Sequence, residues 1–317
     1  MTQALPVVHV LLATYNGGRF LREQWESLEA QQGVGVVVHV ADDGSSDGTV
    51  RLVEQLAECR RGAVQQVHWL HAPPRRSATR SFLLLLARTV ESCPEAAWFA
   101  YCDQDDVWLP GKLSAALAAL MPHSGDARAA LYGGRTLAVH DDGREGGLSP
   151  LFVRPPSFRN AITQNIMGGN TMVMNRAAAM LVARSAHLEV VTHDWYTYQL
   201  VSGAEGFISY DPRPFVRYRQ HEGNVIGSNL GWRARWDRLL RMLRGEYRVW
   251  NALNVAALEQ CAPALTPGNR AVLDAFRRAR AEATPWARMA WLRRSGAFRQ
   301  KPSEQAMLWI ACILRRL

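Results

Sequence analysis

The sequence predicts an α/β protein with a mostly parallel, doubly wound sheet and a helical C-terminal extension. Two observations carry this prediction. Up to residue 121, short β-branched apolar runs alternate with helical patterns, which is typical of βαβ units. Beyond residue 231, aromatic residues and leucines recur at three- and four-residue steps, which is typical of amphipathic helices. We therefore expect an α/β domain over residues 1–230 and a helical extension over residues 231–317.

The alternating region holds four predicted strands, each with a polar turn at its end. The strands are Val7–Leu12, Gly35–Ala41, Val64–Leu70 and Ala96–Cys102, and the helices after them cover residues 20–28, 50–56, 79–90 and 111–121. Ligands bind at the carboxyl ends of the strands in a doubly wound sheet. The four polar turns are therefore expected to share one edge of the sheet, where a ligand would bind.

The pattern loosens after residue 125. Strands are expected at Ala129–Val139, Gly168–Met174, Phe207–Tyr210 and Phe215–Tyr218, a loop at Asp141–Gly147, and a helix at His193–Ser202. The next predicted helix, residues 232–253, has Trp, Tyr and Leu on one face and Arg around it. This pattern is typical of a helix at a membrane interface, although a helix that packs on the protein with solvated arginines has it too.

Composition limits the class of protein. The 317 residues are 48% hydrophobic and 21% charged, which excludes disorder and low complexity. The longest apolar runs, such as Phe82–Ala87 and Met307–Leu314, are far shorter than the ~20 residues of a transmembrane helix. No Lys or Arg precedes the apolar start Leu5–Ala13, so we expect no signal peptide. The five cysteines include no CxxC pair, which favours a reducing, cytoplasmic compartment and argues against a disulfide framework or a zinc site.

Positive charge is concentrated in the extension. Residues 1–230 contain 20 Lys and Arg against 22 Asp and Glu, whereas residues 231–317 contain 17 against 6, together with six of the 11 Trp. A basic, Trp-rich segment favours an anionic surface as its partner. We expect a membrane rather than nucleic acid, because no nucleic-acid recognition motif accompanies the charge.

The most unusual local feature is Cys102-Asp103-Gln104-Asp105-Asp106, with three carboxylates in four positions after a buried strand. Carboxylates this close repel one another, and a divalent cation removes the repulsion. Mg²⁺ and Mn²⁺ prefer oxygen ligands and commonly bind one or two carboxylates together with phosphate oxygens. We therefore expect a Mg²⁺ or Mn²⁺ site here. The alternative is a solvated turn in which Asp106 caps the following helix.

Two further turns offer short polar side chains. Asp42–Thr49 follows the second strand and can accept hydrogen bonds from a nucleobase or a ribose, unless it is only a helix cap. Thr14–Gly17 follows the first strand and precedes a helix, a setting that favours a phosphate or a nucleoside. Neither turn matches GxGxxG or the P-loop motif, so a dehydrogenase or a P-loop NTPase has no support. A third turn, Gly168-Gly169, lets the backbone approach a sugar or simply begins a strand.

Together these blocks resemble the family 2 glycosyltransferases of GT-A fold, which is a Rossmann-like architecture. The resemblance rests on Ala13–Gly17, Asp42–Thr49 and Asp103–Pro110, and it continues through His193–Trp195, Tyr210–Pro214 and Tyr218–His221. The blocks Asp103–Pro110, His193–Trp195 and Tyr218–His221 are most similar to those of bacterial rhamnosyltransferases that build surface polysaccharides. The resemblance covers residues 6–228 and implies that residues 1–230 form the catalytic domain.

The resemblance implies roles on the donor side. Asp103 and Asp105 would hold the metal on the donor diphosphate, and Asp106 would support them or contact the sugar. His221 would complete the metal site, unless it is only a packing residue in a lid. The residues that would bind the nucleotide or face the donor are Thr14, Asn16, Asp42, Asp43, Arg80 and Gly169.

The resemblance also implies the reaction. Asp194, at the start of a predicted helix, would be the base that removes a proton from the acceptor hydroxyl, although it also suits a helix cap. The enzyme would transfer L-rhamnose from dTDP-L-rhamnose, with inversion, to a saccharide or lipid-linked saccharide acceptor. If the acceptor is lipid-linked, the basic extension would dock the enzyme on the cytoplasmic face of the inner membrane.

Three alternatives remain at this point. The same fold with a UDP-hexose donor is the first, and a membrane-docked, non-catalytic assembly partner is the second. The third is a sugar nucleotidyltransferase, which would need a glycine-rich basic loop after the first strand. Ala13–Gly17 is not such a loop.

Overall fold

The computed structural model describes residues 5–123, 127–220 and 244–317. The chain divides into two compact units. The first combines Met1–Pro150, Met167–His187 and Phe207–Gly227, and the second combines Leu151–Ile166, Leu188–Gly206 and Ser228–Leu317. The division at residue 230 that the composition predicts remains a prediction.

The described residues form the following elements. The strands are β1 (Val7–Thr14), β2 (Gly35–Asp42), β3 (Val64–Trp69), β4 (Trp98–Cys102), β5 (Val107–Trp108), β6 (Ala130–His140), β7 (Glu145–Leu148), β8 (Val173–Asn175) and β9 (Phe207–Gln220). The α-helices are α1 (Leu21–Glu29), α2 (Thr49–Glu58), α3 (Ala78–Ser92), α4 (Lys112–Leu120), α5 (Phe158–Ala161), α6 (Arg176–Ala183), α7 (His193–Gly203), α8 (Glu246–Gln260), α9 (Pro267–Ala281), α10 (Pro285–Ser295) and α11 (Pro302–Ile313).

The strands of the first unit form one sheet. Its order in the described residues is β3-β2-β1-β4-β8-β6-β9-β5, with β7 paired to β6. β1 pairs in parallel with β2 and β4, and β2 pairs in parallel with β3. β1, β2 and β4 are buried along almost their whole length, because helices cover both faces of this part of the sheet. Val10 and Leu12 belong to a core with Trp25 of α1, whereas Phe82 of α3 packs edge-on against Tyr101 of β4. The predicted α/β architecture is confirmed.

The second half of the sheet is mixed, which the sequence pattern did not predict. β8 lies antiparallel between β4 and β6, and β6 pairs in parallel with β9. The two strands predicted at Phe207–Tyr210 and Phe215–Tyr218 are one strand. Its register shifts between Asp211 and Pro214, so that Pro212 and Arg213 have no partner on β6. Proline is tolerated in a strand at such an irregularity, because no ladder hydrogen bond is lost.

Three short elements also differ from the sequence prediction. The predicted loop at Asp141–Gly147 contains the start of β7, which pairs antiparallel with β6. Helix α6 is an additional element, and it begins where the Asn175 side chain accepts a hydrogen bond from the Ala178 N–H. The two-residue strand β5 is too short to leave a periodic pattern in the sequence.

The second unit is helical. The buried guanidinium of Arg288 on α10 donates to the carbonyls of Glu282 and Ala283, which follow α9, and to those of Cys312 and Ile313 at the end of α11. Carbonyls at helix ends have no intrahelical partner, so one arginine ties three helices together. The predicted helical extension is confirmed over residues 244–317, while residues 232–243 of the predicted helix 232–253 lie outside the described residues. Among the described residues, no helix has both the length and the apolar character needed to span a bilayer.

Candidate active site

One glutamine joins the turns that follow β1 and β4. The side-chain amide of Gln104 accepts a hydrogen bond from the Tyr15 N–H at 2.9 Å and donates one to the Tyr15 carbonyl at 2.9 Å. A Cβ atom on Gly17 would overlap the amide end of Gln104, so a larger residue at position 17 would displace this side chain from its hydrogen bonds. Because Gln104 lies inside the acidic motif, this pairing holds the acidic turn against the turn after β1.

Asn16 joins the turns that follow β1 and β2. Its N–H donates to Ser45 Oγ at 2.9 Å, and its side-chain oxygen accepts from the Ser46 N–H at 2.8 Å. Its backbone has a positive φ of 46°, which asparagine adopts more readily than most residues. Asn16 is exposed at the sheet edge where the sequence predicts a nucleotide.

Asp42 shapes its own turn. Its carboxylate accepts hydrogen bonds from Thr14 Oγ1, from Ser45 Oγ and from the backbone N–H groups of Gly44 and Ser45, at 2.6–3.0 Å. A carboxylate has about four acceptor positions, so this set fills them. Thr14 is buried beneath the turn. In this conformation, Thr14 and Asp42 stabilise the turn, and a contact between Asp42 and a ribose requires one of these bonds to open.

Asp43 joins the turn after β2 to the segment before α3. Its carboxylate accepts hydrogen bonds from the backbone N–H groups of Arg75, Arg76 and Ser77. Ser77 caps α3, and Arg80 lies exposed in the first turn of that helix. The turns after β1, β2, β3 and β4 are therefore connected along the edge of the sheet, as the sequence predicts.

The acidic motif separates into two kinds of carboxyl group. Asp103 and Asp105 are half-buried, whereas Asp106 is 1% exposed. Asp106 accepts hydrogen bonds from the Asn170 side chain and from the Arg219 N–H. Burial, together with the nearby charge of Asp105, raises the pKa of Asp106 to about 7, although these hydrogen bonds oppose the shift. Asp106 is thus built into the site, and Asp103 and Asp105 are the motif carboxylates that solvent reaches.

Arg219, near the end of β9, connects the acidic turn to α1. Its guanidinium donates to the Asp105 carbonyl at 3.2 Å, forms an ion pair with Glu23, and lies 4.9 Å from the ring centroid of Phe20. Its backbone N–H binds Asp106. Arg219 is two residues before His221, which lies outside the described residues.

The turn at Gly169 positions a side chain that binds the acidic motif. Gly169–Thr171 is a short 3₁₀ turn, closed by a hydrogen bond from the Thr171 hydroxyl to the Gly168 carbonyl at 2.7 Å. The turn directs the side chain of Asn170 to Asp106. Gly169 itself is buried.

A buried lysine lies close to the acidic motif. Lys112, at the start of α4, is 1% exposed, and its Nζ lies 3.3 Å from the ring centroid of Trp108. Burial lowers the pKa of Lys112 to about 7, and the negative charges available at Cys102 and Asp106 oppose that shift. Trp108 is buried in the core, so it is not a platform for a sugar ring.

The second unit holds Asp194 in the first turn of α7. Asp194 and His193 are both buried. Burial lowers the pKa of His193 to about 4, while the charge of Asp194 opposes the shift. Trp195 is also buried, and its indole N–H donates to the Ala161 carbonyl at 2.6 Å. Trp195 is therefore a packing residue.

Comparison with protein families identifies the family of this chain. The family model described as "Glycosyl transferase family 2" matches residues 9–187, more than half of the chain. The chain belongs to glycosyl transferase family 2. The match includes the turns after β1, β2 and β4, and this confirms the resemblance drawn from those turns. The protein is accordingly a glycosyltransferase.

Individual relatives of this glycosyltransferase are distant. A protein of Shigella flexneri named dTDP-rhamnosyl transferase RfbG is 23% identical over 72% of this chain and 78% of its own length. The mannosyltransferase PcManGT of Pyrobaculum calidifontis, solved with GDP-Man and Mn²⁺, is 18% identical. Its TM-score is 0.50 over 97% of this chain and 79% of that chain, so the two share a fold.

A further solved structure, residues 1–349 of TarS from Staphylococcus aureus with UDP, is 16% identical. Its TM-score is 0.46. The match spans 78% of this chain and 65% of that chain, slightly less than two thirds of its length.

The oxygen donors of the glycosyltransferase fit Mg²⁺ or Mn²⁺. Hard divalent cations in nucleotide sites bind one or two carboxylates and keep positions for water and phosphate oxygens. Asp103 and Asp105 meet this requirement, because they are only half-buried on the turn after β4. Asp106 does not, because it is buried and bound by Asn170 and Arg219.

Sequence reasoning missed the residues that hold this site together. None of the four carries an acidic charge: Gln104, Asn170 and Arg219 bind partners that are distant along the chain, and Lys112 is a lysine buried against the nearby Trp108. A signal was present for two of them, because Gln104 and Arg219 lie inside blocks of the resemblance, and Asn170 directly follows the Gly168-Gly169 turn. Lys112 had no such signal, since a lysine at a helix start is ordinarily exposed.

Proposed function

We propose that this glycosyltransferase is metal-dependent and inverting, and that it transfers L-rhamnose from dTDP-L-rhamnose to a saccharide acceptor during synthesis of a surface polysaccharide. The observation that carries the proposal is the connected edge of the sheet, where two solvent-reached carboxylates, Asp103 and Asp105, lie beside the turns after β1 and β2. The rhamnosyl donor rests on the relative named dTDP-rhamnosyl transferase.

The turns after β1 and β2 suit the nucleoside of the donor. Asn16 is exposed there, and the Asp43 carboxylate accepts three backbone hydrogen bonds, which leaves about one of its four acceptor positions for a base or a ribose. Thr14 and Asp42 keep the turn in shape beneath them. Arg80, exposed at the start of α3, would face the donor phosphates or sugar. The buried Gly169 would act through the turn that positions Asn170.

Asp103 and Asp105 would hold the metal on the diphosphate, with His221 as a further ligand. A bound divalent cation stabilises the negative charge that builds on the departing diphosphate. Asp106 would keep the acidic turn in place through Asn170 and Arg219. The cation itself remains a proposal for this chain.

Asp194 would act on the acceptor. A sugar hydroxyl is a poor nucleophile until a base removes its proton, and a carboxylate within hydrogen-bond reach can do so. Direct displacement by that oxygen breaks the bond between the anomeric carbon and the diphosphate. It inverts the anomeric centre without a covalent enzyme intermediate.

Thermal shifts with dTDP, UDP, GDP and CMP, each with and without Mg²⁺ or Mn²⁺, test the donor and the metal together. A nucleotide at 100 times its Kd adds about 2.7 kcal/mol to the free energy of unfolding. We expect dTDP with metal to stabilise the wild type most, and Asp105→Asn to lose the metal-dependent part. Preference for UDP would replace rhamnose by a UDP-hexose donor. No stabilisation by any nucleotide would contradict the proposed donor site.

The proposed partner of the extension is an anionic membrane surface at the cytoplasmic face. Trp286 on α10 is 79% exposed and Leu314 after α11 is 50% exposed, and Arg293 and Arg294 lie in the last turn of α10. Exposed aromatic and basic side chains together suit an anionic bilayer surface. Trp286→Ser should weaken sedimentation with anionic vesicles, whereas Val153→Ser, a change at an equally exposed valine, should not. Unchanged vesicle binding after deletion of residues 231–317 would refute this part.

A further inference from the structure

Three histidines form a row across the first strands of the sheet. His9 on β1, His39 on β2 and His68 on β3 stack in sequence, with ring centroids 5.1 Å and 5.2 Å apart. His9 and His39 are 7% and 5% exposed. Because side chains alternate along a strand, both lie on the face opposite the core formed by Val8 and Val10. Buried faces of parallel strands usually carry aliphatic side chains, and glycosyl transfer gives no reason for imidazoles here.

The two buried rings lie close to a thiol. His9 Nδ1 is 2.9 Å from His39 Nε2. One ring nitrogen of each histidine and Cys93 Sγ all lie within 4.8 Å of one another. Cys93 directly follows α3 and is half-buried. The fold thus brings two nitrogen donors and one sulfur donor together from three separate elements. The cysteine spacing gave no sign of this, because two of the three donors are histidines on different strands.

We infer that His9, His39 and Cys93 bind a Zn²⁺ ion. Imidazole nitrogen and thiolate sulfur are the ligands that zinc prefers, whereas Mg²⁺ prefers carboxylate, carbonyl and water oxygens. The histidine–cysteine cluster and the acidic turn therefore select different metals. The inference does not depend on the proposed donor or on the proposed mechanism.

The spacing of the donors suits a tetrahedral ion after a small adjustment. With Zn–N bonds of about 2.0 Å and a Zn–S bond of about 2.3 Å, tetrahedral ligand atoms lie roughly 3.3–3.6 Å apart. The hydrogen-bonded nitrogens are a few tenths of an ångström closer than this, and Cys93 Sγ, which lies within 4.8 Å of the donor nitrogens, would have to come nearer on binding. The thiol loses its proton to solvent on binding. The proton held between the two nitrogens moves to the other nitrogen of its ring.

The inferred ion would be structural. It would link the end of α3 to β1 and β2, with the fourth position taken by water or by Glu95, whose charge acts on His9. His9 lies five residues before Thr14 on the same strand, about 16 Å away at about 3.3 Å per residue. An ion there would stabilise the sheet without contact with the reacting groups.

Co²⁺ alone is the probe that tests the site, added to chelator-treated full-length protein. A thiolate ligand to Co²⁺ produces a charge-transfer band in the near ultraviolet, which an oxygen site does not. We expect the wild type to develop this band up to one ion per chain and to lose it when Zn²⁺ is added. Zn²⁺ should also raise the Tm in the absence of any nucleotide.

Matched variants show which residues bind the Co²⁺ that produces the charge-transfer band. Cys93→Ser should abolish it and should also abolish the Zn²⁺-dependent rise in Tm, whereas Cys59→Ser, at an exposed cysteine after α2, should leave both intact. His39→Gln should weaken Co²⁺ binding at least about 10-fold, with far-UV circular dichroism as the check on folding. Asp105→Asn should keep the band, which separates this site from the proposed diphosphate metal. A wild type without the band, or an unchanged band in Cys93→Ser, would overturn the inference.

Discussion

Gln104 and Tyr15 form a reciprocal pair of hydrogen bonds, each 2.9 Å long, between a side-chain amide and one backbone residue. The pair crosses from the turn after β4 to the turn after β1, and Gly17 leaves space for it. The acidic motif and the predicted nucleoside turn are therefore held by one side chain that carries no charge. The two bonds attach the turn that carries Asp103 and Asp105 to the turn after β1.

Gln104→Leu should weaken binding of the donor nucleotide more than it weakens the fold. Leucine has a similar size but forms neither hydrogen bond, so the Tyr15 N–H and carbonyl lose their partner and the acidic turn loses its attachment. We expect the Kd for the nucleotide with metal to rise about 10-fold, which corresponds to about 1.4 kcal/mol. Isothermal titration with the preferred nucleotide measures it. Gln55→Leu, at an exposed glutamine of α2, is the control, and equal affinities in the two variants would contradict the prediction.

Asn170→Ala should destabilise the protein in a pH-dependent way. Asn170 donates to the buried Asp106, and the loss of a donor to a buried carboxylate costs about 1 to 3 kcal/mol. The pKa of Asp106 is raised to about 7, so the cost should be larger at pH 8, where the group is ionised, than at pH 5, where it is protonated. Urea denaturation at both pH values measures the difference.

The control for Asn170→Ala is a second buried asparagine. Asn254 accepts a hydrogen bond from the Val191 N–H. Asn254→Ala should lower the free energy of unfolding equally at pH 5 and pH 8. If Asn170→Ala behaved in the same way, Asp106 would not be the group through which Asn170 acts.

Asp194→Asn should abolish turnover and leave donor binding intact. An amide cannot accept the proton of the acceptor hydroxyl, and loss of a general base lowers kcat by about 10²- to 10⁴-fold. The nucleotide-induced thermal shift should equal that of the wild type. Asp194 also lies in the first turn of α7, so its Tm must be measured separately from the rate. Asp142→Asn, at an exposed carboxylate, is the control, and normal turnover in Asp194→Asn would remove Asp194 as the base.

The first half of the fold could be predicted because its signals are local. β1, β2 and β4 are mostly apolar runs, and each ends in a turn of Gly, Asp, Asn or Ser, which are uncommon inside strands and helices. β8 and β9 could not be placed in the same way. Which strands they pair with, and in which direction, depends on packing between segments that are distant along the chain. The register shift at Asp211–Pro214 interrupts the alternating pattern of β9, so the sequence predicts two strands instead of one.

The carboxylates of the site could be predicted because like charges beside a buried strand are unusual. Their supporting residues could not, because a neutral amide such as Gln104 or Asn170 gives no signal until its partner is known. The histidine–cysteine cluster is the extreme case. β2 and β3 lie between His9 and Cys93 along the chain. Only the parallel register of the strands and the position of the end of α3 bring the two residues together.

Lys112→Met should stabilise the protein at neutral pH and remove a pH dependence. Burial lowers the pKa of Lys112 from 10.5 to about 7, so between these values the unfolded chain holds a proton that the folded chain does not. The free energy of unfolding of the wild type should therefore rise with pH from about 7 to about 10.5, by up to a few kcal/mol. Below pH 7 the buried ammonium is charged. Its contact with the Trp108 ring and the nearby charge of Asp106 then offset part of the free energy that burying this charge costs.

Methionine fills a similar volume without a charge, so the variant should show no rise over this range. Its advantage over the wild type should be largest at pH 7 and should shrink as the pH approaches 10. Urea denaturation at pH 7, 8 and 9 measures the slope. Lys301→Met, at an exposed lysine, should keep the slope of the wild type. A parallel pH dependence in wild type and Lys112→Met would mean that Lys112 does not change its charge in this range, and that Asp106 holds it as a buried cation.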